Sequence, residues 1–363
     1  MAGDVLSDRA LARATLARQL LLGRARLPPL EAVEHLVGLQ AQEPLDPYIG
    51  LWSRLDGFDP DALARLLEER RVVRTVLMRS TIHLITAEDC LRIRPLVEPV
   101  LTAEIRRHSV HAPALRDVDL APVLRLARKL LAERPLAPAD LGEALAQRFP
   151  GRAPASLAAA GRNHLALVQE PPRGLWGRTG RVRLTTAEAW LGRPLARDGS
   201  LDDLFVRYLG AFGPASVADA TTWSRLTGLR GVFERMRAPL RVFRDERGRE
   251  LFDLPDAPRP DAETPAPTRF LPEFDNVVLS HADRNRFVSD DERARFLRVP
   301  GRVRPVLHDG RLRAAWRLDA AALVVTPLGP LPRSARAEIA DEGERLLRFL
   351  GVEGRDIRFV EAS

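Results

Sequence analysis

Two glutamines one residue apart, Gln40 and Gln42, have the type and spacing best suited to chemistry in this chain. A side-chain amide both accepts and donates hydrogen bonds, so two neighbouring amides can converge on one small target such as water. Apolar residues recur at helical spacing through residues 30–39, and Pro44 prevents a helix from continuing. This pattern predicts that both amides lie at a helix terminus. The alternative is structural: the glutamines cap the helix end or face water.

The other reactive side chains offer little for acid–base or metal chemistry. Glu43 is ionisable, but on a helix it would point about 100° away from Gln42, which makes it a minor candidate. The seven histidines are scattered, and His108 with His111 is the only close pair. The sequence has no cysteine cluster, no Gly-rich phosphate loop and no nucleophile elbow. We therefore expect neither a metal nor a cofactor.

A second polar group lies in the first of three predicted hairpins. Strand alternation from residue 79 to residue 83 places Arg79 and His83 on one face. That face either lines a cleft that contacts DNA, or it carries a histidine whose hydrogen bonds are satisfied within the fold. Both alternatives remain open at the level of the sequence.

Arg284 and Arg286 form a polar tip beyond an apolar segment near the C-terminal part of the chain. Their guanidinium groups could contact a DNA backbone. Alternatively they could pair with Asp275 or Asp283, the usual outcome for exposed arginines.

The charge of the chain favours a nucleic-acid partner. The 363 residues carry a formal net charge of +7, and Lys129 is the only lysine. Arginine binds phosphate bidentately and stacks on bases. Residues 225–249 contain eight arginines against three acidic residues, and four more arginines decorate the second predicted hairpin, namely Arg173, Arg178, Arg181 and Arg183. The alternatives are a proteome-wide arginine bias from GC-rich coding and an ordinary solvated face.

The elements that would hold these residues repeat along the chain. Three groups of helices are each followed by two short strands, the pattern of a winged helix. We therefore predict an α+β protein with three tandem winged-helix modules and a C-terminal β-rich domain closed by one helix. Residues 30–42 would be a helix of the first module, and residues 270–288 a strand of the last domain. Ser7 and Asp59 would cap helices of the first module, Ser216 would open a helix of the third, and Asp309–Gly310 would form a hairpin turn in the last domain. The predicted limits are residues 1–115, 116–198, 199–255 and 268–363.

The compartment follows from cysteine usage and hydropathy. Cys90 is the only cysteine, so an intramolecular disulfide is excluded and a reducing compartment is favoured. No apolar run is long enough to span a bilayer, and the N-terminal residues lack a signal-peptide core. We predict a cytoplasmic protein that makes no membrane contact.

Three segments together resemble a known family. Residues 38–44, which hold the Gln-apolar-Gln motif, residues 48–54 and residues 73–84 are similar to winged-helix DNA glycosylases of bacteria, with further similarity in residues 271–286. This family includes the interstrand-crosslink and azinomycin-resistance glycosylases. The resemblance implies a monofunctional DNA glycosylase that excises N7-alkylated purines, including crosslinked ones, from double-stranded DNA. It implies no obligate protein partner and a monomer.

The same resemblance assigns roles to the two glutamines. Gln40 and Gln42 would hold and orient the water that attacks the sugar. Some relatives have a carboxylate at the second position, and this chain has an amide there, which cannot take a proton near neutral pH. The alternative function is a non-catalytic winged-helix DNA-binding protein or transcription regulator. A regulator would normally be a symmetric dimer, whereas three modules in one chain better fit wrapping of a duplex.

Overall fold

The computed structural model describes residues 4–352 and 354–361, in which helices and short strands alternate. The predicted α+β class is confirmed. Three sheets are present in this part of the chain, and each combines a hairpin with at least one strand from elsewhere in the sequence. None of the helices there is long and apolar enough to cross a membrane.

The first part of the chain is mostly helical and contains one hairpin. Its elements are β1 (Val5–Leu6), α1 (Asp8–Arg18), α2 (Pro29–His35), β2 (Leu39–Gln40), α3 (Asp46–Arg54), α4 (Pro60–Glu68), β3 (Val72–Val76), β4 (Ile82–Thr86), α5 (Ala87–Leu96), α6 (Glu98–Arg107) and α7 (His111–Leu115). The predicted N-caps are confirmed, since Ser7 accepts from the backbone of Ala10 and Asp59 from that of Asp61.

The second part has three helices before a pair of strands. Its elements are α8 (Leu120–Glu133), α9 (Pro138–Arg148), α10 (Pro154–His164), β5 (Leu167–Gln169), β6 (Leu184–Thr186) and α11 (Ala187–Leu191). β5 pairs with β3, which joins the hairpins of the first two parts into one five-stranded sheet in the order β2-β4-β3-β5-β6. Separate hairpins were expected from the sequence, so this shared sheet is a new feature.

The third part repeats the order of three helices and a hairpin. Its elements are α12 (Leu201–Phe212), α13 (Val217–Ser224), α14 (Arg230–Arg235), β7 (Arg241–Asp245) and β8 (Glu250–Asp253). Ser216 and Asp219 form a capping box at the start of α13. The N-terminal β1 pairs in parallel with β7, so the start of the chain packs on this third hairpin.

The C-terminal part is a five-stranded sheet covered by one long helix. Its elements are β9 (Arg269–Phe270), α15 (Asn276–Leu279), α16 (Asp290–Arg298), β10 (Arg304–His308), β11 (Arg311–Leu318), β12 (Ala322–Pro327), α17 (Arg333–Phe349) and β13 (Asp356–Phe359). The predicted turn at Asp309–Gly310 is confirmed, with both residues at positive φ. The predicted strand over residues 270–288 is wrong, because Asp275 caps α15 and ends the extended segment.

Candidate active site

The segment that carries the two glutamines leaves its helix earlier than the sequence pattern predicts. α2 ends at His35, and Val37 and Gly38 adopt left-handed backbone angles, with φ of 52° and 86°. A right-handed helix cannot continue through two such residues, so the chain turns into β2. The predicted helix to residue 42 is therefore wrong. The glutamines lie on a short strand and directly after it.

The strand geometry nevertheless keeps the two amides on one side. β2 pairs with β4 so that Gln40 lies opposite His83, and the backbone of Ala41 continues the ladder by donating to Ile82. Successive side chains of an extended segment point to opposite faces. Ala41 is fully buried in a hydrophobic cluster, whereas Gln42 is exposed. This alternation directs Gln40 and Gln42 away from that cluster.

Arg79 fixes the orientation of the Gln40 amide. Its Nη2 donates to Gln40 Oε1 at 2.9 Å, and its Nη1 donates to the carbonyl oxygen of Trp223 at 2.7 Å. Arg79 lies in the turn between β3 and β4 at a φ of 57°, so the hairpin turn aims the guanidinium back at β2. Burial lowers the pKa of Arg79 to about 10, and the charge of Arg225 adds to this effect. Arg79 is still protonated at neutral pH.

His83 is the third member of this group and is held neutral. Burial and, to a smaller extent, the neighbouring charge of Arg79 together lower the pKa of His83 to about 3. Its Nδ1 lies 3.0 Å from the carbonyl oxygen of Thr81 and its Nε2 lies 3.3 Å from Arg79 Nη2. These partners fit an imidazole whose Nδ1 donates and whose Nε2 accepts. Of the two sequence alternatives, the satisfied histidine is the one that this arrangement matches.

Gln42 and Glu43 are less constrained than Gln40. Gln42 Oε1 lies 3.5 Å from the backbone nitrogen of Ile82, at the limit of a hydrogen bond. Glu43 pairs with Arg302 at 2.6 Å, which directs the carboxylate toward the C-terminal part of the chain. The Gln42 carbonyl therefore remains available to a further donor.

Asp46 is a residue near this site that sequence reasoning missed. Its side chain is 1% exposed, and neither carboxylate oxygen has a hydrogen-bond partner among the described residues. The closest cation is Arg304, whose Nε lies 3.5 Å from Oδ1. Burial raises the pKa of Asp46 to about 6, partly offset by Arg304 and reinforced by Glu273 and Glu43. Asp46–Pro47 resembles an ordinary helix start in the sequence, which gives no signal of this burial.

The chain also matches a family of known proteins. The family model described as DNA glycosylase AlkZ-like matches residues 33–349, most of the chain. The chain belongs to this DNA glycosylase family. The membership bears out the resemblance carried by Gln40 and its neighbours, and it does not favour a non-catalytic regulator.

The similarity of this glycosylase to known proteins extends over nearly the whole chain. The interstrand DNA cross-link repair glycosylase of Streptomyces sahachiroi is 25% identical over 374 residues, covering 95% of this chain and 97% of that protein. The solved structure of the Streptomyces sahachiroi DNA glycosylase AlkZ superposes with a TM-score of 0.80 at 21% identity. The match covers 98% of this chain and 100% of that one, so the two share a fold.

The arginines of this glycosylase that were predicted from the sequence to contact DNA differ in exposure and in ion pairing. Arg178 and Arg181 are exposed, and Arg284 is half-buried. Arg183 is exposed but pairs with Glu170 at 3.1 Å. Among the described residues, no carboxylate pairs with the first three, whereas Arg183 has its charge partly neutralised.

Arg286 does not lie on the surface of the glycosylase. Its side chain is buried and donates to Thr15 Oγ1 and to the carbonyl oxygen of Pro214, each at 3.1 Å, and Asp219 lies 3.9 Å away. The expectation that Arg286 contacts a DNA backbone is corrected by this location, because its side chain is almost fully buried and its guanidinium donates to partners within the fold. Its contacts join α1 to the third helical group.

The described residues contain no group of three or more His, Cys, Asp or Glu side chains in positions that could hold a metal ion. His108 and His111 stack with their ring centroids 4.3 Å apart, and His111 contacts Ser156 rather than a third ligand. Cys90 is buried, and burial raises the pKa of its thiol to about 12.

Proposed function

We propose that this glycosylase hydrolyses the N-glycosidic bond of N7-alkylated purines, interstrand crosslinks included, and leaves an abasic site. Family membership supplies the reaction class, and the Streptomyces sahachiroi relative is by name a cross-link repair enzyme. In this proposal Gln40 and Gln42 hold the hydrolytic water. The observation that carries it is a pair of neutral amides, one fixed by Arg79 and the other open to solvent.

The chemistry of such substrates suits two amides. Alkylation at N7 gives the leaving base a positive charge, so its departure needs little acid catalysis. The remaining task is to present water to the anomeric carbon as an oxocarbenium-like sugar develops. The bonding electrons leave with the base, which departs as a neutral purine. The water oxygen forms the new bond to the anomeric carbon, and the proton that the water loses passes to the solvent. Two carbonyl oxygens can each accept one water hydrogen, which directs a lone pair of the water at the sugar.

The surroundings of the two amides leave both carbonyl oxygens able to accept from a water molecule. The bond from Arg79 occupies one lone pair of Gln40 Oε1 and leaves the second for a water molecule. Gln42 Oε1 has only the long contact to Ile82. The α-carbons of residues two apart on a strand are about 6.6 Å apart, and side chains at that separation can share one water. Neither amide has to change its protonation state.

The lysine content supports a monofunctional enzyme. A glycosylase that also cleaves the backbone needs an amine nucleophile to form a Schiff base with the sugar. Lys129 is the only lysine of the chain. It lies on α8, 3.9 Å from Glu133, rather than among the residues around Gln40. The product proposed is therefore an intact abasic site.

The proposed DNA surface uses the arginines that are free to meet phosphate. Arg79, Arg178, Arg181 and Arg284 are assigned to duplex contact, while His83, Arg183 and Arg286 are buried or paired. The three groups of helices and strands act as tandem winged helices with the limits 1–115, 116–198 and 199–255. In support, the second and third groups each place three helices before a pair of strands, and the first group places four helices before its pair. Three groups in one chain favour a monomer that needs no protein partner, working in the cytoplasm on double-stranded DNA.

An excision assay tests the proposed reaction. Purified protein is incubated with a duplex that carries one N7-methylguanine, and abasic sites are then cleaved with alkali. We expect a cut at the lesion that requires alkali, and no cut in the undamaged duplex. A duplex with an N7-linked interstrand crosslink is tested in parallel and should be unhooked. Folded protein that binds the duplex but releases no base would overturn the proposal.

A further inference from the structure

Most arginines of the basic stretch, residues 225–249, are already neutralised by acidic partners. Arg235 pairs with Asp202 at 2.6 Å and Arg237 with Glu250 at 2.8 Å. Arg247 and Arg249 likewise pair with carboxylates of α1, β7 and the loop after α15. Net charge in the sequence therefore overstates the charge that this stretch can offer to DNA. The arginines whose charge is available to phosphate are those without an acidic partner.

Arg79 is one of these uncompensated arginines. Its three hydrogen-bond partners are the Gln40 amide, the His83 ring and the Trp223 carbonyl, and all three are neutral. Withdrawing a guanidinium from water without a carboxylate costs free energy. No carboxylate of the described residues offsets this cost at Arg79.

Arg225 lies next to Arg79. It follows Trp223 by two residues and caps the C-terminus of α13 with a left-handed φ of 64°. Arg79 donates to the Trp223 carbonyl of the same helix end, and after burial the charge of Arg225 is the second cause that lowers the pKa of Arg79. The Arg225 side chain is exposed, and none of the carboxylates in the described residues pairs with it.

Arg284 and Arg293 extend the group from the C-terminal part of the chain. The loop that holds Arg284 docks on α13, because the backbone of Ala282 donates to Asp219 at 2.8 Å. The half-buried Arg284 has its pKa lowered by burial and then by the charges of Arg293 and Arg225. Arg293 is exposed in the first turn of α16, and this helix starts two residues after Val288, whose backbone nitrogen donates to the carbonyl oxygen of Arg284 at 2.9 Å. Four arginines from four segments are therefore neighbours, and no salt bridge joins any of them to an acidic side chain in the described structure.

We infer that Arg79, Arg225, Arg284 and Arg293 form a phosphate-binding cluster that holds the DNA backbone beside Gln40. Mutual repulsion of four guanidinium groups is unfavourable until an anion joins them. Guanidinium forks match phosphate oxygens in pairs, and successive phosphates of a DNA strand supply repeated anions to a row of such groups. This assignment rests on the proposed function for its choice of DNA as the polyanion. Arg225 and Arg293 were not among the arginines proposed for duplex contact.

The cluster couples binding of the backbone to the reacting site. The Arg79 guanidinium donates to the Gln40 carbonyl and also binds a phosphate of the strand that carries the lesion. A phosphate seated there fixes the sugar next to the amide, which is what an attack by a positioned water requires. It also cancels a positive charge near the developing oxocarbenium-like sugar, where an uncompensated guanidinium would raise the barrier.

The test compares unpaired with paired arginines. Arg225→Gln and Arg284→Gln are compared with Arg65→Gln and Arg345→Gln, whose guanidinium groups pair with Asp59 and Glu342. Binding to a duplex with a non-cleavable abasic-site analogue is measured between about 50 and 200 mM salt. Each cluster variant should lower the slope of log affinity against log salt by about 0.9, the release from one phosphate. The two control variants should keep the parent slope.

The outcomes separate this inference from the proposed reaction. Unchanged slopes for both Arg225→Gln and Arg284→Gln, in variants that melt like the parent, would overturn the cluster. Equal losses in the control variants would also overturn it, since they would indicate general charge alone. Inorganic phosphate added at constant ionic strength should compete only weakly, and full competition would assign the site to a small anion instead. Because the analogue is never cleaved, failure of excision leaves this binding result intact.

Discussion

At the scale of single residues, the charges around Gln40 stay constant over a wide range of pH. The pKa of Arg79 is about 10 and that of His83 about 3, so the first stays cationic and the second neutral between about pH 5 and 8. The Gln40 carbonyl is therefore presented in one way throughout this range. In the proposed mechanism the catalytic task falls to hydrogen bonding by amides, which needs no titrating group.

Asp46 is the nearby residue whose charge does respond to pH. Its pKa of about 6 exceeds the value of about 3.9 for an unfolded chain. The folded state therefore binds more protons than the unfolded state between about pH 4 and 6. Stability from this residue is greatest at low pH and falls as pH rises through that window.

Replacing Asp46 with Asn should remove this dependence. We compare the free energy of unfolding of the parent with that of Asp46→Asn. The difference, parent minus variant, should fall by about 2 kcal/mol between pH 4 and pH 7.5. Urea denaturation of both proteins at several pH values measures it. A difference between the two proteins that does not change with pH would show that the Asp46 carboxyl titrates normally.

At the scale of elements, the reversal before β2 decides where the glutamines lie. Gly38 has a φ of 86°, and a Cβ added there would lie 3.0 Å from the carbonyl oxygen of Leu84 on β4. That contact is tighter than ordinary packing allows, and the backbone angle is unfavourable for any residue with a side chain. β2 could then not keep its register with β4.

Gly38→Ala should destabilise the protein by about 2–3 kcal/mol and reduce excision beyond the loss of folded protein. Gly57→Ala is the matched control, because Gly57 also has a positive φ of 65° but has no heavy atom within 4 Å of an added Cβ. Thermal melts and excision rates of both variants make the comparison. Equal effects of the two substitutions would show that the contact with β4 is not the cause of the lost stability.

The elements with strong local signals were predictable from the sequence. The caps at Ser7, Asp59 and Ser216 and the turn at Asp309–Gly310 are short-range features, and all of them are confirmed. The end of α2 was missed because nothing in the helical pattern announces the left-handed angle of Val37. In the site, the spacing of the glutamines was visible, whereas the contact from Arg79 depends on a tertiary arrangement.

At the scale of the whole molecule, buried ion pairs join segments that are far apart in sequence. Arg54 donates to Asp275 at 2.8 and 2.9 Å, and neither side chain is exposed. Arg18 and Asp253 form a second fully buried pair. These pairs tie α3 and α1 to later parts of the chain. No sequence pattern indicated them, because each partner is a common surface residue type.

Removing one member of the Arg54–Asp275 pair should be costly. Arg54→Met leaves the Asp275 carboxylate buried without its main partner and should lower the free energy of unfolding by about 3–5 kcal/mol. The double variant with Asp275→Asn should recover part of this loss, since it buries no charge. Urea denaturation followed by fluorescence of the five tryptophans measures both. A double variant less stable than Arg54→Met would contradict the account.

Excision as proposed depends on the side-chain amides of Gln40 and Gln42, which position the hydrolytic water. Single-turnover excision of N7-methylguanine by Gln40→Ala and Gln42→Ala tests it most directly, with the exposed Gln147→Ala on α9 as the control. We predict that each site variant loses about a hundred- to thousand-fold in rate, while duplex affinity and melting temperature stay near the parent values. A stable double variant that binds DNA and still excises at the parent rate would contradict it.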